Sequence, residues 1–361
     1  MAAEEPPAPI DEPAGAPTPT VPATPDGDAA NGLAGRRFWR FASLLAAVGV
    51  ALALVLGAAF LSIGHSPRAR HLPVAVVGPP AAAQALEQRS AGALRVRPVA
   101  STGEAARLIA QRRIYGAIVP SQGGGVRRLI IASAASNQVA NFLRGSLGAA
   151  TPDGAPRIKD VAPLPKDDAG GASIALLLQV ITLGGSIGVL GLGRLVPGFR
   201  ADLRRGVLPW TFLVLYALLF GFVITGVAAA FGVGSGADYL TRVGAVSLIS
   251  LAVTASTAGL VSIIGSAGAG ITSLLYFVLG SQISGGGSAP EFLPSFWHHL
   301  GQNLPTGAGV SLLRDVLYFP DASTAFPIRV LVLYAAIGAL LLTLVNLRYA
   351  RDRRTSAAGL P

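Results

Sequence analysis

No cysteine occurs in this chain, so no disulfide can staple an exported part of it and no thiolate can serve a metal or redox site. Lysine is nearly missing as well. Lys159 follows Ile158 and Lys166 follows Pro165, whereas a P-loop needs lysine directly after glycine, so the chain cannot hydrolyse nucleotide by that route. Charge of either sign is scarce: 13% of residues are charged, against about 25% in an average soluble domain. What fills the space is apolar. Hydrophobic residues make up 52% of the 361 and the mean hydropathy is +0.57, a membrane composition built mainly from Ala, Val, Leu, Gly and Ile.

The long apolar runs lack ionisable residues. Runs cover residues 41–64, 172–193, 210–232, 243–264, 267–283 and 327–347, and the first five hold no Asp, Glu, Lys, Arg or His. Carriers driven by protons or sodium place a polar relay inside the bundle, so an ion-coupled carrier is disfavoured. The first run is longer and starts later than the apolar core of a signal peptide and is read as a retained anchor. The fifth, with its glycines and serines, is compatible with a short span, a half-helix or a continuation of the fourth around a tight turn. Counted as a span, it brings the total to six.

The net charge of +10 comes from arginines that flank the apolar runs, which reads as a topology signal and not as a nucleic-acid surface. With the N-terminus inside, the cytoplasmic segments hold Arg36, Arg37, Arg40, Arg194, Arg200, Arg204, Arg205, Arg348, Arg351, Arg353 and Arg354. The short outer segments hold only Arg242, Arg314 and Arg329. Both termini are therefore expected in the cytoplasm of a multi-pass cell-membrane protein, which requires an even number of spans.

The expected organisation is a disordered, acidic, Pro/Ala-rich cytoplasmic tail over 1–35 and a first transmembrane helix over 36–64. An extracytoplasmic α/β domain follows over 65–170, then a five-helix transmembrane domain over 171–350 and a cytoplasmic tail over 351–361. The fold class is thus an α-helical polytopic membrane protein with six transmembrane helices and an α/β domain inserted between the first and second. Within that domain, strands are expected at 72–78, 94–99, 115–120 and 126–132, with a last extended piece near 157–165. Helices are expected around Ala82–Gln88, behind the capping box Ser101-x-x-Glu104, and where Val139, Phe142, Leu143 and Leu147 share one face.

Gly184, Ser186 and Gly188 match G-x-S-x-G, the nucleophile elbow of hydrolases, but that motif needs a strand-to-helix turn and this one lies in an apolar span. Gly184 and Gly188 also make G-x-x-x-G, a helix-packing motif. The adjacent His298 and His299 point to different sides of a helix, so a shared metal ion is not expected, and with no other ligand cluster the chain is read as metal-free. Residues 198–209 join the second and third runs and read either as a headgroup anchor or as a short amphipathic helix that docks on a cytoplasmic partner.

The segment 284–319 is too apolar for a free loop and too interrupted by Pro290, Pro294 and Pro305 for a span. Two short helices dipping into the outer leaflet, roughly 291–302 and 307–318 and broken at 303–306, are expected, with Arg314 near the interface reaching headgroups or helix-end carbonyls. Here the sequence resembles a family. Ser284-Gly285, Pro290, Leu293-Pro294, Leu304-Pro305 and Arg314 look like the signature before the last span of type-2 ABC exporter permeases. The layout over roughly 36–350 resembles the branch containing YhgE/Pip-like proteins, with one departure, Gly78-Pro79-Pro80 at the end of the first strand.

The resemblance implies a permease subunit, without an ATPase site or cofactor of its own, that pairs into a homodimer or heterodimer and is driven by separate cytoplasmic ABC ATPase subunits that bind the ATP. Arg200, Asp202, Arg204 and Arg205 would form the coupling helix, and Pro290, Pro294, Pro305 and Arg314 would shape a re-entrant outer gate. The alternative, from another class, is a non-transporting envelope scaffold or receptor that uses its α/β domain for protein contacts.

Overall fold

The computed structural model describes residues 27–65, 68–121, 125–148, 155–195, 208–234 and 236–358. Two compact units divide the chain, Met1–Gly57 and Ala58–Pro361. The first holds most of helix α1 (Gly27–Gly64). Its described side chains from Phe38 onward are almost all exposed, as on a helix that meets lipid. The helix starts at Gly27, ahead of Arg36 and inside the stretch expected to be disordered. Extending an existing helix through an Ala-containing segment adds one hydrogen bond per residue without a new nucleus.

The second unit opens on a five-stranded mixed sheet, β1 (Leu72–Val77), β2 (Leu94–Val99), β3 (Gly116–Pro120), β4 (Val126–Ile131) and β5 (Arg157–Asp160), in the order β2-β1-β3-β4-β5. β1 runs parallel to β2 and β3, β4 is antiparallel to β3, and β5 is parallel to β4. Helices α2 (Pro80–Arg89), α3 (Thr102–Ala110) and α4 (Asn137–Leu147) cover the two faces. Strand alternation divides the core. Leu72, Val74, Leu94, Val96, Leu129 and Ile131 pack with α2 and α4, while Ala75, Ala117 and Ile130 pack with α3. The capping box forms: Ser101 Oγ accepts from Glu104 N–H, and Glu104 Oε2 reaches back to the N–H of Ala100.

Five helices have the length and apolarity to cross a membrane: Phe38–Gly64 in α1, Trp210–Ala230 in α6 (Leu208–Ala230), α7 (Tyr239–Ile264), α8 (Ser266–Ile283) and Ala325–Val345 in α11 (Ala325–Ala358). A shorter apolar stretch, Ser173–Val189, lies in α5 (Ser173–Leu195). α7 is the centre, with 56% of its apolar window buried against 22% for α6 and α11. Small residues make this possible. A Cβ on Gly338 of α11 would lie 2.2 Å from the Ala255 carbonyl oxygen, and one on Gly221 of α6 would lie 2.0 Å from Ser247 Oγ.

α8 follows α7 around a tight turn. Gly265 takes φ 71°, a conformation glycine adopts at no steric cost, and reverses the chain in one residue. α8 then runs back antiparallel, so that Gly268 abuts Leu260 and Tyr276 Oη meets Ser256 Oγ at 3.1 Å. A π-helical turn at Leu274–Leu279 interrupts it before Gly280–Ile283 completes it.

Between α8 and α11 come a 3-10 turn at Pro290–Phe292 and two helices, α9 (Ser295–Asn303) and α10 (Pro305–Tyr318). The first helix begins four positions later than residue 291 because Leu293, ahead of Pro294, is held extended at φ −81° and ψ 151°. Leu304, ahead of Pro305, is extended for the same reason, so the break is a single residue. Each proline starts an element here instead of breaking one.

Candidate functional site

The site lies where one edge of the sheet domain meets the segment 284–319. That edge is formed by the starts of β1 and β3 and the ends of β4 and β5, which the mixed topology brings to one side. The elements that reach it carry the polar side chains.

Arg112 comes from the end of α3. Its N–H bonds Ile109 O at 2.8 Å and the N–H of Arg113 bonds Leu108 O at 2.9 Å, the paired pattern of a Schellman cap. The position in that cap usually held by glycine is Arg112, at φ 52°. The left-handed turn costs an L-residue about 1–2 kcal/mol, and it directs the side chain onto α10. There Nη1 pairs with Asp315 Oδ1 and donates to the Ser311 carbonyl at 3.1 Å, while the guanidinium carbon lies 5.9 Å from the Phe319 ring centroid.

Tyr115, three residues on, donates its hydroxyl to Glu291 Oε2 at 2.7 Å. Burial and the adjacent Glu291 carboxylate push its ionisation far above the usual tyrosine range, so it acts as a neutral donor. Further contacts close the seam. Gln138 Oε1 accepts from Ser288 Oγ at 2.8 Å and Ala289 N–H at 3.1 Å, Arg70 Nη1 donates to the Phe292 carbonyl at 3.0 Å, and Phe142 stands edge-on to Phe292.

Arg314 is 6% exposed and its Nη2 donates to the Gly285 carbonyl at 3.1 Å, just past the end of α8. Of the two partners expected for it, headgroups and helix-end carbonyls, it meets the second. It is buried because α10 packs into the bundle against α5, α7 and α11 and places Leu312, Leu313, Arg314 and Asp315 inside. Burial, followed by repulsion from Arg112, lowers its ionisation to about 10, so it stays cationic at neutral pH. Asp315 is pushed up by burial, and the Arg112 guanidinium opposes that shift.

Two cavities meet at Arg314. One, of about 160 Å³, is lined by Tyr115, Glu291 and His298 among others. The other, of about 310 Å³, lies between the start of α4, Gly286, Gly287 and Tyr318. His298 Nδ1 lies 2.9 Å from the Pro290 carbonyl and His299 Nδ1 lies 2.7 Å from that of Ser295, so each histidine is committed to backbone on its own.

Of the residues singled out from sequence, Pro290 and Arg314 line the smaller cavity together, while Pro294 and Pro305 lie at the starts of α9 and α10. Arg200, Asp202, Arg204 and Arg205 lie outside the described residues. Gly184 and Gly188 receive the rings of Phe220 and Tyr216 instead of a neighbouring helix backbone, and Ser186 Oγ bonds the Thr182 carbonyl within its own helix. Arg112, Tyr115, Gln138 and Asp315 went unread. Asp315 carried a signal, since an acid inside the apolar stretch 308–319 demands a partner; the other three did not.

No family model matches the chain, and neither a curated protein nor a solved structure matches it.

Proposed function

We propose that this chain is the permease subunit of an ATP-driven exporter of the ABC type-2 kind, in or near the YhgE/Pip-like branch. In this reading it works as a homodimer or heterodimer with separate cytoplasmic ABC ATPase subunits. The observation that carries the reading is α10, which packs on α5, α7 and α11 along one side and is bonded to the sheet domain through Asp315 and Ser311 on the other. A helix so placed passes any rearrangement of the bundle to the domain above it, as an exit gate must. The described candidate spans contain no Asp or Glu, which supports a source of energy in another polypeptide.

Six spans with the sheet domain outside the cytoplasm complete the proposal. In its support, α5, α7 and α11 begin and α6 and α8 end on the side of the sheet domain: Gly286 abuts Ala175, Gly234 abuts Leu317 and Gly280 abuts Thr306. With α5 as a span, the five helices of the second unit alternate in direction. Because the chain has no cysteine, single cysteines report topology cleanly. Arg127→Cys should react with an impermeant maleimide in intact cells and Ser356→Cys only after permeabilisation; the reverse pattern removes the orientation.

The function itself is tested by partner and energy. The isolated chain should not hydrolyse ATP, and it should co-purify with a P-loop ATPase whose hydrolysis it stimulates. Arg204→Glu with Arg205→Glu should reduce that stimulation at least about tenfold, as expected when charge-assisted contacts are inverted. Hydrolysis by the homogeneous chain alone, or native complexes devoid of an ATPase, would defeat the proposal. The second outcome would favour a scaffold or receptor, to which one observation lends weight: residues 68–170 carry 14 basic and 6 acidic side chains. Arg128 of β4 stands directly opposite Arg157 of β5, a like-charge pair suited to an acidic partner.

A further inference from the structure

Arg314 holds a charge that its neighbours do not match. It is 6% exposed, its protein partner is one carbonyl, and among the described residues no carboxylate lies within 4 Å of it. The adjacent carboxylate, Asp315, is taken by Arg112, and Glu291 is turned to Tyr115 in the smaller cavity. A guanidinium has five N–H donors, and those that the Gly285 carbonyl does not take are available to an acceptor in the adjoining cavity.

The 310 Å³ cavity beside it has the features such an acceptor would need. Its wall includes Tyr318, whose hydroxyl is buried with no hydrogen-bond partner and lies within electrostatic reach of Arg314. The start of α4 also lines it, an 11-residue helix capped by Ser136, whose side chain accepts from Val139 N–H. The first N–H groups of a helix have no intrahelical acceptor, and Asn137 and Gln138, the first two residues of α4, line the cavity. Gly286 and Gly287 bring bare backbone to a third side.

We propose that this cavity binds an oxyanion, a phosphate or carboxylate group, with Arg314, Tyr318 and the N-terminus of α4 as its donors. Asp168 also lines the cavity, within electrostatic reach of Tyr318, and opposes an anion there. Its carboxylate is engaged by the N–H groups of Ala172 and Ser173, at 2.9 Å and 3.3 Å, which fixes it at the start of α5. The group can arrive on a free small molecule or on a lipid headgroup. The assignment does not depend on whether the chain exports anything, since it uses only residues of this cavity.

The test is saturable thermal stabilisation of the full-length chain in nonionic detergent, since a ligand that binds the folded state raises the unfolding midpoint with concentration. Inorganic phosphate and dihexanoyl phosphatidylglycerol are titrated separately, against sodium chloride of equal ionic strength and dihexanoyl phosphatidylcholine. Stabilisation by phosphate and by the anionic lipid identifies a solvent-open anion site; stabilisation by the anionic lipid alone identifies a headgroup site; both uphold the proposal. Arg314→Gln should weaken binding by at least about tenfold and Tyr318→Phe by about threefold, for the loss of one charged and one neutral donor. Asp168→Asn, which retains an acceptor for the α5 cap, should tighten it. Should Arg314→Gln not fold, Tyr318→Phe and Asp168→Asn decide, because they must move affinity in opposite directions. The proposal falls if neither probe stabilises the chain beyond the two controls, or if these two variants bind as the parent does.

Discussion

Gly338→Ala is expected to lower the stability of the folded chain by about 3 kcal/mol, the upper end of what overpacking a core costs, or to prevent its accumulation in the membrane. The added Cβ would lie 2.2 Å from the oxygen and 2.3 Å from the carbon of the Ala255 carbonyl, and 2.5 Å from Ser256 N. These are backbone atoms in the middle of α7, so no side chain can swing away to make room. α7 and α11 would have to separate, which loosens the packing of Leu331 and Leu342 along the same interface. Gly191→Ala, where nothing stands within 4 Å of the added methyl, is the control. It should be neutral or stabilising by up to about 1 kcal/mol through helix propensity. Thermal unfolding in detergent of both variants measures the contrast, and a Gly338→Ala protein that melts with the parent would contradict this backbone contact between α7 and α11.

Asp315→Ala should be the most damaging change at the seam, costing about 3–5 kcal/mol, because it strands the partly buried Arg112 without its carboxylate. Arg112→Gly should cost less. Glycine fits the left-handed turn without strain and recovers about 1–2 kcal/mol of backbone energy while giving up the ion pair. The double variant is then expected to be more stable than Asp315→Ala alone. Unfolding midpoints of the three proteins, with protease sensitivity of the 161–172 connection as a readout of domain docking, settle the order. If Asp315→Ala matched the double variant, the pair would not be holding the domain.

Much of the sheet domain was legible because its signals are local. Short runs rich in Val, Leu and Ile marked β1, β2 and β4, Ser101 and Glu104 marked the start of α3, and one apolar face marked α4. The paired helices in 284–319 were legible from proline alone, although the pre-proline restriction at Leu293 moved the first start to Ser295. The site was less legible. The ion pair joins residues 203 positions apart and the Tyr115–Glu291 bond joins residues 176 apart, separations over which no periodicity acts. Nothing in Gln111-Arg112-Arg113 suggests a cap that glycine would ordinarily occupy. The burial of Arg314 follows from how deeply α10 enters the bundle, a tertiary property that its composition does not encode.

The one-residue reversal at Gly265 sets two helices of unequal reach side by side from a common origin. The 26 residues of α7 extend about 39 Å and the 18 residues of α8 about 27 Å, at 1.5 Å per residue. α8 therefore stops about 12 Å short of its neighbour, and the bundle ends in a step on the side of the sheet domain. α9 and α10 fill that step: Gly301 abuts the Ile283 carbonyl at the tip of α8, and Thr306 abuts Gly280. The socket for this helix pair is thus a difference in arm length measured from a single glycine. An inserted turn in α8 would not lengthen a span but would evict the pair from its seat, and Arg314 and Asp315 would leave with it.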